Sequence, residues 1–110
     1  MQNIEVLEYQ TPEGTSPFDD RLRGIRDSRA AARIEAAALK MRYGLFGKWR
    51  SLQHGLYEAK IDYGPGYRIY YGKDGDALVL LLLCGDKRTQ DKDIEVAHGY
   101  WKDYKARTRK

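Results

Sequence analysis

Tyr57-Glu58-Ala59-Lys60-Ile61-Asp62-Tyr63-Gly64-Pro65-Gly66-Tyr67-Arg68-Ile69-Tyr70-Tyr71 reads as two strands joined by a tight turn. Side chains alternate across a strand, so Tyr57, Ala59, Ile61 and Tyr63 share one face of the first strand, and Glu58, Lys60 and Asp62 share the other. Gly64-Pro65-Gly66 supplies the turn, because Pro presets its φ and glycine accepts φ > 0. Beyond it Tyr67, Ile69 and Tyr71 form a second apolar set, while Arg68 and Tyr70 point the opposite way. If both apolar sets face one core, Glu58, Lys60, Asp62, Arg68 and Tyr70 gather on an exposed face able to hold an anion.

Upstream of this hairpin, Asn3 to Tyr9 is expected to form an opening strand, and the Pro12 and Gly14 stretch a loop. Ser16-Pro17 has the chemistry of a helix start, with Asp19 and Asp20 near the positive end of the dipole. That first helix is expected to end near Ile25. Asp27-Ser28 then caps an Ala-rich helix from Arg29 to Arg42, with Ala31, Ile34, Ala38, Met41 and Leu45 as its apolar stripe and Gly44 as its stop. Trp49 to Gln53 is a candidate short strand.

Downstream, Lys73-Asp74-Gly75-Asp76 is a hairpin turn. The unbroken apolar run Leu78 to Leu83 is expected to be a central strand buried on both faces. Gly85 to Arg88 is a polar exit. A last helix, capped by Thr89, carries Asp91 and Asp93 in its first turn and packs through Ile94, Ala97, Trp101 and Tyr104, with a frayed basic tail from Lys105 to Lys110. The expected order is β-α-α-β-β-β-α, an α+β domain with a small, mainly antiparallel sheet.

A chain of 110 residues is one domain. Its 20 basic against 16 acidic residues fit nucleic acid or an acidic partner, and equally a solvated surface. Arg26, Arg29, Arg33 and Lys40 read as such a solvated helical face. The lone Cys84 cannot form an internal disulfide and fits a reducing cytoplasm as a small core residue. No apolar run follows a basic start as a signal peptide would, and none is long enough to cross a membrane. There is no metal-ligand spacing and no phosphate-cradling loop, so neither metal nor cofactor is expected.

Three motifs run in the same order as in a known group of proteins. They are Ser16-Pro17-Phe18, the Glu58 to Tyr71 hairpin, and Leu82-Leu83-Cys84-Gly85-Asp86-Lys87-Arg88-Thr89-Gln90 leading to Asp93-Ile94. Over nearly the whole chain the sequence resembles the RelE/ParE superfamily of bacterial toxin–antitoxin toxins, and within it the HigB-like or "addiction module killer protein" branch. The resemblance implies a single RelE/ParE-like domain over residues 1–110, with two helices on one face of a twisted sheet and a concave basic face on the other. It implies a toxin that binds the ribosome and cuts mRNA, neutralised by a helix-turn-helix DNA-binding antitoxin. ParE-like relatives inhibit DNA gyrase instead, and one fold can host either activity.

Metal-free RNA cleavage uses the 2′-OH as nucleophile and needs a base, an acid and cations around the phosphate. Arg68 is the leading cation, since a guanidinium grips two phosphate oxygens, and it matches the arginine on the family's catalytic face. Lys60 resembles the basic residue of the preceding strand. Of Lys87 and Arg88, one is expected to point inward, Lys87 being favoured for catalysis and Arg88 joining Lys60 as an RNA contact. Where such toxins often carry Tyr or His, this chain has Thr89-Gln90-Asp91, so Glu58, Tyr70 and His54 are the candidate acid/base groups.

Overall fold

Both predicted helix starts are built as their sequences require. The Ser16 hydroxyl accepts the Asp19 amide at 3.3 Å with Pro17 in the first turn, and the Asp27 carboxylate accepts the amides of Arg29 and Ala30. The computed structural model describes residues 3–108 in the order β1 (Glu5–Glu8), α1 (Pro17–Arg23), α2 (Ser28–Lys40), β2 (Lys48–Ser51), β3 (Leu56–Ile61), β4 (Tyr67–Asp74), β5 (Leu78–Asp86) and α3 (Gln90–Thr108). Short 3-10 turns at Met41–Tyr43 and Lys87–Thr89 finish α2 and lead into α3. Gly44, at φ 76°, ends the first of them.

The architecture is α+β, with the strands ordered β1-β5-β4-β3-β2. β1 runs parallel to β5, and every other pairing is antiparallel. Four strands, not three, separate the helical pair from α3, because Lys48–Ser51 pairs fully with β3. β5 is interior as its apolar run predicts, although β4 takes the middle of the sheet.

Each face of the sheet carries its own core. Phe18, Ile34, Ala38 and Met41 of the helical pair pack on Ala59, Ile69, Tyr71, Val79 and Leu81. On the opposite face Ala97 and Trp101 of α3 pack on Leu56, Tyr70, Leu80, Leu82 and Leu83. A register shift at Tyr70/Tyr71 lets Leu82 and Leu83 fall in succession on the α3 side, where strict alternation would have sent one of them across. Cys84, fully buried, returns to the helical-pair side, and burial pushes its thiol up to about 12, which leaves it inert as a nucleophile.

Several expectations are corrected. Leu45 is 59% exposed and not part of the α2 stripe, because Gly44 turns the chain away from the sheet before it. α1 stops at Arg23, and in α2 Ala30, not Ala31, is buried together with Ile34 and Ala38. The helix continues through Lys105 to Thr108, so that part of the tail is not frayed, and Arg109-Lys110 lie outside the described residues. Among the described residues no helix is long and apolar enough to cross a membrane.

α3 sits directly on strand backbone at two glycines. A Cβ on Gly72 would lie 2.4 Å from the Trp101 ring, and one on Gly85 would lie 2.0 Å from the Asp93 carboxylate. Gly72→Ala and Gly85→Ala are each expected to lower stability by about 1–3 kcal/mol through overpacking. Gly99→Ala, on the open side of α3 with nothing within 4 Å of the added carbon, is expected to raise it by up to about 1 kcal/mol. Urea unfolding of the three variants checks both signs.

Candidate functional site

Strand register assembles the polar side of the hairpin. Glu58 lies opposite Tyr70 and Arg50, while Lys60 lies opposite Arg68 and Lys48. Arg68 faces Gly85 across β5, so no side chain on that neighbour crowds it. The first residue of α3, Gln90, reaches Glu58 from above, and the hairpin end of this face stays uncovered.

Glu58 is the anchor of the arrangement. It is 4% exposed, accepts Arg50 Nε at 2.8 Å and Gln90 Nε2 at 3.0 Å, and has Arg68 Nε at 3.8 Å. Burial pushes its pKa up, but the Arg50 and Gln90 hydrogen bonds and the charges of Arg50 and Arg68 outweigh that and hold it below the usual carboxylate range. Arg68, 6% exposed, also donates from Nη1 to the Gly66 carbonyl at 2.7 Å. Arg68 lines a recess of about 370 Å³ together with Lys60, Asp62, Lys87 and the Tyr63–Gly66 turn. An adjoining recess of about 490 Å³ shares Lys60 and Arg68 and adds Lys48, Arg50, Glu58 and Gln90.

Together the two recesses hold five cationic side chains against the carboxylates of Glu58 and Asp62. Asp62 pairs with Lys48 and, at 3.6 Å, with Lys60. Lys87 is exposed and forms no ion pair among the described residues. A guanidinium and two ammonium groups around one small opening can neutralise a phosphodiester, and an ionised carboxylate beside them can accept a proton.

Lys60, Arg68 and Lys87 therefore line one recess, with Glu58 next to it. Arg88 does not join them. The Asp86 carboxylate holds it through the Arg88 amide at 2.9 Å and the guanidinium at 2.8 Å, turning it to a separate cavity beside α1. The expected exposure of the whole polar set is wrong for three residues: Tyr70 joins the core under α3, Gln90 at the start of α3 reaches over Glu58, and Arg68 is folded between Glu58 and the Gly66 carbonyl.

Tyr70 is fully buried and its hydroxyl has no hydrogen-bond partner. Burial, followed by the Glu58 and Asp93 charges, holds its pKa well above the usual phenol value, so it is a poor proton source. His54 lies beyond the far end of β3 in a left-handed turn (φ 60°), its ring 6.5 Å from that of His98. Its carbonyl accepts the Trp101 indole N–H at 2.8 Å, and its side chain lines neither recess.

Sequence reading missed Lys48, Arg50 and Gln90 as site residues. Register against Glu58 and Lys60 could have found the first two, whereas the reach of Gln90 depends on where α3 docks. Among the described residues no group of three or more His, Cys, Asp or Glu is placed to hold a metal ion.

The lowered pKa of Glu58 gives stability that is present above the unfolded carboxylate value of about 4.3 and lost as pH falls through the folded value. Arg50→Ala removes the strongest hydrogen bond to that carboxylate. It is expected to raise the Glu58 pKa and to move acid unfolding to higher pH. Gln90→Ala acts in the same direction. Carbon NMR titration of the Glu58 carboxyl and denaturation across pH 2–6 check both variants.

No protein-family model matches the sequence. The chain is 43% identical over 83 residues to an uncharacterized protein of Haemophilus influenzae, a match covering 76% of this chain and 84% of that protein. Identity at that level over most of both chains means that this protein belongs to the same family as the H. influenzae protein.

Proposed function

We propose that this protein is the toxin of a type II toxin–antitoxin system and acts as a ribosome-dependent mRNA endoribonuclease. The observation that carries the reading is the convergence of Lys60, Arg68 and Lys87 on one open recess beside the ionised Glu58. The motif resemblance in the hairpin and in the Gly85–Gln90 block supplies the reaction class.

In this reading Arg68 and the two lysines hold the scissile phosphate and stabilise the charge that builds on it. Glu58 takes the 2′-OH proton as that oxygen attacks phosphorus, and the bond to the 5′-oxygen breaks as the Lys87 ammonium gives that oxygen a proton, leaving a 2′,3′-cyclic phosphate and a 5′-hydroxyl, with protonated Glu58 and neutral Lys87 reset by exchange with water. Ordered cations and a carboxylate already ionised need little rearrangement during the reaction. The reading places the protein in the cytoplasm, with the translating ribosome as its target and a helix-turn-helix DNA-binding antitoxin as its inhibitor.

Lys60 and Lys87 are the cleaner test residues, since both are exposed whereas Arg68 is buried beside Glu58. Lys60→Ala and Lys87→Ala are each expected to slow message cleavage by about 10²-fold with unchanged melting. Arg68→Ala is expected to abolish cleavage, with circular dichroism reporting whether the fold survives. Purified ribosomes, message and protein, read by primer extension, give the measurement. Cuts within translated codons support the reading. Intact message overturns it, and broken DNA in cells expressing the protein would then favour a ParE-like gyrase inhibitor.

A further inference from the structure

Two buried side-chain polar atoms among the described residues have no hydrogen-bond partner, the Tyr70 hydroxyl and Arg68 Nε. Buried donors are almost always satisfied, so two orphans side by side on β4 call for a reason. Both neighbour the same carboxylate. Tyr70 is the register partner of Glu58 across the β3–β4 pair, and Arg68 Nε lies 3.8 Å from Glu58 Oε2, just beyond hydrogen-bond length.

The other carboxylate whose charge acts on the Tyr70 hydroxyl, Asp93 of α3, is already occupied by Arg21 and Thr89. Burial first, then the Glu58 and Asp93 charges, keep the phenol protonated, so the hydroxyl can only donate to them. Glu58 meanwhile takes its hydrogen bonds from the recess. Arg50 Nε at 2.8 Å and Gln90 Nε2 at 3.0 Å both belong to the lining, and the Arg50 side chain is 57% exposed.

Arg50 is therefore open to competition. An anion drawn in by Lys48 and Lys60 offers its guanidinium two oxygens, where Glu58 engages it through one. Losing Arg50 would leave a buried charge short of a partner. A shift of about 1 Å toward β4 brings Glu58 within hydrogen-bond length of Arg68 Nε, on the strand that also carries the unused hydroxyl.

We infer that Tyr70 is a positioning residue whose hydroxyl, with Arg68 Nε, takes hold of Glu58 when Arg50 turns from that carboxylate to a bound phosphodiester. Binding of the anion and seating of the base are then one event. That catalytic meaning rests on the nuclease reading, whereas the exchange of partners is testable without it.

Tyr70→Phe keeps the ring in the core and removes only the hydroxyl. In the free protein it is expected to leave both melting and the Glu58 pKa unchanged, because the hydroxyl makes no bond there. Arg50→Ala, which removes the outer partner, raises that pKa. Combining the two changes is expected to raise the proton affinity of Glu58 about 10-fold beyond Arg50→Ala alone, read by carbon NMR titration. In the ribosome assay, Tyr70→Phe is expected to move the acidic limb of the kcat profile to higher pH and to leave that of kcat/KM in place, since the first reports the bound protein and the second the free one.

Additive effects in the double variant would overturn the inference. So would a changed Glu58 pKa or a marked fall in melting for Tyr70→Phe alone, either of which would mean that the hydroxyl is already bonded in the free protein. Absence of cleavage by the unaltered chain removes the nuclease reading and leaves the titration result standing. Cleavage with additive titration removes the exchange alone.

Discussion

The close seating of α3 on the sheet is the constraint from which the rest of the molecule follows. Trp101 lies on Gly72 and Asp93 on Gly85, approaches that any side chain at those positions would block. Eight residues of helix span about 12 Å, so the two contacts fix both the position and the direction of α3. Asp93 is 2% exposed and accepts Arg21 at 3.2 Å and Thr89 at 2.6 Å, so the same contact ties α1 to the start of α3. A buried carboxylate without those partners would be costly, which makes the junction all-or-none.

From this seating comes the division of the polar face. The start of α3 brings Gln90 over Glu58 and shuts Tyr70 into the core, while the hairpin end beyond it stays open. Glu58 is then buried enough to need partners and close enough to Arg50 and Arg68 to find them. The result is a carboxylate held ionised at the edge of an open basic recess. Its charge, with the Gly66 carbonyl, also restrains Arg68 in one orientation.

The helical-pair side shows the opposite economy. Gly44 ends the α2 region before the chain reaches the sheet's outer strand, so Leu45, Phe46 and Trp49 have only part of a core to join. Incomplete cover there and tight cover by α3 on the other face give the domain two chemically distinct surfaces. One is small, polar and cationic. The other is broad and apolar with a basic rim.

Local patterns were readable in the chain because they depend on near neighbours. Ser16-Pro17 and Asp27 mark helix starts by capping chemistry, Gly64-Pro65-Gly66 marks a turn by allowed φ, and the Leu78–Leu83 run marks an interior strand by having no polar side. The union of Lys60 and Arg68 was legible for the same reason, since hairpin register alone makes them opposite neighbours. The burial of Glu58 and Tyr70, the reach of Gln90 and the isolation of His54 were not. Each depends on where a helix distant in the chain comes to rest, and Gly72 and Gly85 hinted at that only as glycines inside strands. Alternation sorts side chains to one face of a sheet or the other, but which part of a face meets water is decided by what packs across it.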